Sequence, residues 1–151
     1  MKKVNYVVIS PVRNEAQYLP LTIASMAKQT IKPVKWVIVN DGSTDATPAK
    51  MDSLALHDHR IRAIHLHPNS GQSAALEAGF SVARGHLVAV LDGDGQNDPQ
   101  DISSLIDTLL SGNFDMVCGI RKKREDSIVR KLSSRIANRI RSAVLGDNIS
   151  D

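Results

Sequence analysis

The amino-acid sequence predicts an α/β fold, a mostly parallel sheet with helices on both faces. Two observations carry that prediction. Short apolar runs rich in β-branched residues alternate with longer helical stretches, the order that builds parallel strands joined by crossover helices. Each run also ends abruptly in a cluster of Gly, Pro, Asn, Asp or Ser, as a buried strand does where a loop begins.

The first strand is read over residues 4–9 and stops at Ser10-Pro11. A helix follows over about 16–29, with Leu19, Ile23 and Met26 on one face and Pro20 in its first turn, where proline is tolerated. Residues 34–39 form a second strand closed by Asn40-Asp-Gly-Ser-Thr-Asp45, and a helix runs from about 46 to the His57 region. Residues 61–66 form a third strand, ended by Pro68-Asn-Ser-Gly71. The Ala-rich segment 72–84 is helical and leads into a fourth strand over 87–91. Pro99 suits the first position of the next helix, whose inward residues are Ile102, Leu105, Ile106, Leu109 and Leu110, and Gly112 ends it. Residues 116–120 read as a fifth strand.

Residues 125–145 read as a last helix, with Ile128, Leu132, Ile136, Ile140 and Val144 repeating every four residues. Lys131, Arg135 and Arg139 repeat at the same step, about 60° around the helix. Such a basic amphipathic helix can lie on an anionic membrane, bind a partner, pair chains into a homo-oligomer, or carry a solvated face. The chain therefore divides into a core, 1–124, and a basic helical segment, 125–151.

The fourth strand ends in two carboxylates, Asp92 and Asp94, separated by Gly93. Paired carboxylates at a strand end need a cation or a donor network to offset their desolvation. Mg²⁺ or Mn²⁺ suits oxygen ligands and leaves positions open for phosphates. An ordinary Asp-Gly turn is the simpler alternative. An EF-hand is excluded, because Asn97 stands at its glycine position and Ser103 at its glutamate position. In parallel sheets ligands bind beyond the carboxyl ends of the strands. Asn14-Glu15, Asp41-Gly-Ser, Asn69-Ser-Gly71 and the Asp92/Asp94 pair all fall there, which favours the metal–diphosphate reading.

Composition sets the bounds. A chain of 151 residues, 42% hydrophobic and 23% charged, suits one globular domain. Aromatics make up 3%, too few for a stacking platform for single-stranded nucleic acid. The lone cysteine, Cys118, lies in an apolar run and reads as a small buried hydrophobe in a reducing compartment. The apolar run after Lys2 and Lys3 is too short for a signal peptide, and no segment has the length to cross a bilayer. Residues 121–141 hold nine Lys/Arg against two Asp/Glu, a local +7 that leaves −4 for the rest of a chain of net +3. The five histidines show no metal-ligand spacing and read as surface or strand-end residues.

Four motifs stand together in order: Val8-Ile-Ser-Pro-Val-Arg-Asn-Glu15, Val39-Asn-Asp-Gly-Ser-Thr-Asp45, Gly71-Gln-Ser-Ala-Ala-Leu-Glu-Ala-Gly-Phe80 and Asp92-Gly-Asp-Gly-Gln-Asn-Asp-Pro99. In order and spacing they resemble family 2 glycosyltransferases of the Rossmann-like GT-A fold. The later run from Asp115 to Asn138 resembles the branch of polyprenyl-phosphate sugar transferases, the dolichol-phosphate mannose synthase type. Family members continue past residue 151 into acceptor-side sequence.

The resemblance implies an inverting, metal-dependent transfer from a nucleotide-diphosphate sugar (UDP- or GDP-linked) to a polyprenyl phosphate, on the cytoplasmic face of a membrane. Asp92, Asp94 and Gln96 would hold Mg²⁺ or Mn²⁺, with Asp94 and Arg121 as catalytic residues. Pro11, Asn14, Glu15 and Asp41 would frame the nucleotide, Asp41 accepting hydrogen bonds from the base. Arg130 and Arg135, with Arg121, would grip the acceptor phosphate. Arg13, Ser43, Gly71, Gln72 and Ser134 complete the implied substrate-binding set. Arg13 replaces the family's usual Tyr, Asn40 a frequent second Asp, and Gly93 and Gly95 the common Ala and Leu. A family 2 enzyme with a soluble or polysaccharide acceptor, and a domain that binds nucleotide and metal without turnover, remain the alternatives.

Overall fold

The computed structural model describes residues 4–95 and 97–120. Four strands, β1 (Tyr6–Val12), β2 (Lys35–Asp41), β3 (Ile61–Leu66) and β4 (Leu87–Val90), alternate with four helices, α1 (Leu19–Ala27), α2 (Thr47–His57), α3 (Gln72–Val82) and α4 (Asp101–Ser111). Every strand pair is parallel and the sheet order is β3-β2-β1-β4. The chain therefore steps outward from β1 through β2 to β3, then returns past β1 to place β4. That reversal between β1 and β4 is a topological switch point, where such sheets leave a crevice.

The helices divide between the two faces as the strand pattern expects. Val7, Ile9, Val37 and Val39 pack beneath Ala75 of α3 on one face. Tyr6, Val8, Trp36 and Ile38 pack on the other with Leu19 and Met26 of α1, Met51 of α2, and Ile102 and Ile106 of α4. Because β1 and β2 are covered on both faces, they are apolar at nearly every position. Gly79 lets α3 approach closely: a Cβ there would lie 2.4 Å from Ile9 Cγ2.

The buried polar groups find partners. Trp36 donates from Nε1 to Ser10 Oγ at 2.9 Å. The Tyr6 hydroxyl lies 2.7 Å from Gln29 Oε1 and 2.8 Å from the Ile31 carbonyl, and Gln29 Nε2 donates to the Pro99 carbonyl. Burial pushes the Tyr6 phenol up to about 12.

Three expectations are corrected. The first strand does not stop at Ser10-Pro11 but runs to Val12, with Pro11 in register with Val39. The Ile9 carbonyl accepts from Leu91 N on the β4 side, and alternate residues face the same neighbour. The ring nitrogen of Pro11 therefore faces that side too, beyond the last residue of β4, where no ladder bond is lost. Helix α1 begins at Leu19 instead of residue 16, because the preceding loop is tied to its neighbour. Finally, residues 116–120 form no strand, and Met116, Cys118 and Ile120 are exposed. An apolar run becomes a strand only when another strand pairs with it, and none does so among the described residues. The predicted helix over 125–145 lies outside the described residues.

Candidate functional site

A cavity of about 440 Å³ opens at the C-terminal ends of the strands. Pro11, Val12, Arg13 and Glu15 line it from the end of β1. Asp41 lines it from β2, Asn69, Gly71 and Gln72 from the β3–α3 connection, and Asp92, Gly93 and Asp94 from beyond β4.

The walls are fixed by bonds between loops. Asn14, in the left-handed region at φ 58°, accepts at Oδ1 from Thr44 N (2.8 Å), while its own N–H donates to Ser43 Oγ (2.9 Å). Asparagine tolerates that backbone better than most residues. Glu15 N donates to Thr47 Oγ1 (2.9 Å), Ala16 N to Asp45 Oδ2 (3.2 Å), and Lys50 Nζ to the Ala16 carbonyl (2.7 Å). Asp45 Oδ1 also accepts from Thr47 N. These hydrogen bonds, the Thr47 hydroxyl first, hold the Asp45 carboxyl below the usual range.

Asp41, 5% exposed, carries out a similar task on the other wall. Its Oδ1 accepts from Ser70 N (2.7 Å) and its Oδ2 from Gly71 N (3.0 Å) and Asn69 Nδ2 (2.6 Å). Three donors on one carboxylate tie the β3–α3 connection to the end of β2. The resemblance implies Asp41 as an acceptor for the base, but the three bonds it makes to this loop needed the fold to be seen. Asn69, part of the same clamp, was absent from the expected site set. Its signal was a polar residue at a strand end two positions before Gly71.

The cavity is acidic. Glu15, Asp41, Asp92 and Asp94 line it, against one cation, Arg13. Glu15 has its pKa raised by burial first, then by the charges of Asp94 and Asp45. Asp92 Oδ2 accepts from Asn97 Nδ2 at 3.3 Å. Gly93 between them is buried, and a Cβ there would meet Val12 Cγ1 at 2.3 Å.

Of the sequence-predicted residues, Pro11, Arg13, Glu15, Asp41, Gly71, Gln72, Asp92 and Asp94 converge on the cavity. Asn14 and Ser43 stand behind its wall as partners of each other's loops. Gln96, Arg121, Arg130, Ser134 and Arg135 lie outside the described residues. The five histidines are exposed, as expected. Among the described residues, no group of three or more His, Cys, Asp or Glu side chains could by itself hold a metal ion.

A parallel sheet in the order β3-β2-β1-β4, with an acidic cavity at its switch point, is the arrangement of a GT-A glycosyltransferase fold. Solved structures bear this out. The mannosyltransferase PcManGT from Pyrobaculum calidifontis, in complex with GDP-Man and Mn²⁺, matches with TM-score 0.64 at 23% identity, over 72% of this chain and 33% of that one. S. aureus TarS 1-349 in complex with UDP matches with TM-score 0.59 at 23% identity, over 82% and 38%. The family model described as glycosyl transferase family 2 matches residues 7–151. The chain belongs to that family. It is 37% identical over 148 residues to the dodecaprenyl-phosphate galacturonate synthase of Rhizobium johnstonii, covering 95% of this chain and 44% of the relative. It is also 37% identical over 156 residues to an undecaprenyl-phosphate 4-deoxy-4-formamido-L-arabinose transferase of Proteus mirabilis, covering 99% and 47%. The chain thus spans about half the length of these curated relatives. No helix among the described residues is long and apolar enough to cross a membrane.

Proposed function

We propose that this chain is the donor-binding half of an inverting glycosyltransferase that moves a sugar from a nucleotide diphosphate to a polyprenyl phosphate at the cytosolic face of a membrane. The observation that carries the donor side is the cavity, where four carboxylates face one cation. An anionic diphosphate cannot settle there unless a divalent cation comes with it. The two curated relatives, each with a polyprenyl phosphate in its name, support the acceptor.

The residues fit Mg²⁺ or Mn²⁺. Their donors are hard carboxylate oxygens, and the Asp94 charge that raises the Glu15 pKa is one that a bound cation would offset. Asp92 and Asp94 would hold the ion, with Gln96 as a further oxygen donor, and two protein carboxylates leave positions for the donor's phosphates. Once bound, such an ion acts as a Lewis acid that neutralises charge on the departing nucleotide diphosphate.

The remaining roles belong to the chain. Pro11, Arg13, Glu15, Asp41, Gly71 and Gln72 shape the nucleotide and sugar pocket, and Asn14 and Ser43 keep two of its walls in register. Arg121, Arg130, Ser134 and Arg135 would grip the acceptor's phosphate. A phosphate oxygen of the acceptor attacks the anomeric carbon as the bond from that carbon to the diphosphate oxygen breaks, which inverts the centre. The acceptor is already anionic at neutral pH, so the step requires little of a general base.

Titration of UDP and GDP against the chain, in Mn²⁺ and in EDTA, tests the reading. Binding should require the ion, and Asp94→Ala should remove the metal dependence. Equal affinity in both buffers would refute it.

A further inference from the structure

Behind the donor cavity, a chain of polar contacts crosses the sheet edge from α2 to the loops that wall the site. Asp52 of α2 lies 3.0 Å from His65 Nε2, and His65 Nδ1 lies 3.3 Å from Asn40 Nδ2. Asn40 Oδ1 then lies 3.0 Å from Ser43 N. Ser43 Oγ accepts from Asn14 N, and Asn14 immediately precedes the cavity residue Glu15.

The direction of this chain follows from one fixed donor. A backbone N–H can only donate, so the Asn40 atom facing Ser43 N must be its oxygen. The other Asn40 atom is then the NH₂ group, which must donate. His65 Nδ1 must accept, leaving the proton of the neutral ring on Nε2, where Asp52 Oδ1 receives it. Every link is satisfied in that one arrangement. Asn40 is 4% exposed, so an amide turned the other way would face Ser43 N donor to donor at a buried position. An Asp at position 40, which the family resemblance expects, offers no NH₂ group. The arrangement therefore depends on Asn40 and His65 together.

We propose that His65 is a positioning residue for the donor site. By accepting from Asn40 it fixes the amide that holds the Ser43 turn, and through Ser43 it sets the Asn14–Glu15 wall. Asp52 serves it by accepting the Nε2 proton, which holds the ring against Asn40. The link to nucleotide binding rests on the function proposed above; the link to the loop does not.

Three measurements on the 151-residue chain test it. Imidazole ¹⁵N NMR of the ligand-free chain should find neutral His65 as the Nε2–H tautomer, and a dominant Nδ1–H form would overturn the proposal. His65→Leu, which removes both polar atoms, should speed amide exchange at Ser43 by roughly five- to tenfold, the weight of one hydrogen bond. His65→Gln keeps an acceptor and a donor on one planar head and should restore most of that protection. Unchanged Ser43 exchange in a folded His65→Leu chain would overturn the proposal. If the Leu variant does not fold, Asp52→Ala on the exposed face of α2 replaces it. That variant should keep the Nε2–H tautomer, which Asn40 demands, yet loosen the ring and speed Ser43 exchange severalfold, and unchanged Ser43 exchange would overturn the proposal. With Mn²⁺ present, UDP or GDP should bind His65→Leu several-fold more weakly than the parent chain. A parent chain that binds neither nucleotide counts against the proposed function. A parent that binds, with a folded variant of equal affinity, counts against His65.

Discussion

Gly93 sits between the two carboxylates, at a position where the family resemblance expects Ala. In this chain the space is already filled. A methyl group there would lie 2.3 Å from Val12 Cγ1 and 3.5 Å from the Pro11 carbonyl oxygen, the first far inside the ordinary carbon–carbon contact of about 3.5–4.0 Å. Val12 is 3% exposed and part of the core, so it has little room to yield. Gly93→Ala should therefore cost about 1–3 kcal/mol by overpacking. With a urea m-value of about 2 kcal/mol/M, the unfolding midpoint falls by roughly 0.5–1.5 M. Val12→Ala alone should also destabilise, by about 0.8 kcal/mol per buried methylene lost plus a cavity cost. In the double variant the new methyl occupies space that Val12 vacates. The double loss should therefore be smaller than the sum of the single losses, by about 1–3 kcal/mol. Metal-dependent nucleotide affinity should follow the same pattern, since the loop that must shift carries Asp92 and Asp94. A Gly93→Ala chain with the parent's midpoint, or strictly additive losses, would refute the packing argument.

Asp41→Asn should destabilise by about 1 kcal/mol, because its NH₂ group, at a buried position, must face the N–H of Ser70 or of Gly71; chemical denaturation and amide exchange at those residues check this. Glu15 should titrate above the ordinary glutamate range, through burial first and the Asp94 and Asp45 charges next. Its contribution to stability is then present below the unfolded glutamate pKa and lost as pH rises through the raised folded value. Asp94→Asn should move its carboxyl ¹³C titration downward, and an unmoved midpoint contradicts the coupling. Cys118, exposed in the fold, should react with a bulky thiol reagent at close to the rate of a free thiol, whereas slow labelling means the segment is covered.

The order of strands and helices through α4 was legible because each apolar run is bounded by residues with a backbone reason to be there. The carboxyl-end cavity was legible too, since polar strand ends in a parallel sheet must converge. What escaped the sequence depends on partners far along the chain. Pro11 reads as a strand terminator until its missing N–H is seen to face beyond the end of β4. Residues 116–120 have the composition of a strand, but composition alone does not dock them on an edge, and Cys118 lost its expected burial for the same reason. The bonds that tie Asn14 and Ser43 to each other's loops escaped as well. Nothing local to residues 14 or 43 reveals a partner 29 positions away.

The outer side of β4 has a practical consequence for anyone handling the protein. Among the described residues, β4 pairs only with β1 and is the last strand of the sheet. Val88 and Val90 are 37% and 50% exposed along it. A strand edge that bears apolar side chains and has no neighbour among the described residues is a template for edge-to-edge association, and a solubility measurement tests whether it acts as one in the whole chain. Val88→Lys, a charge placed on that edge, should raise the concentration at which the protein precipitates if the edge sets the limit, while leaving the cavity at the carboxyl ends of the strands untouched.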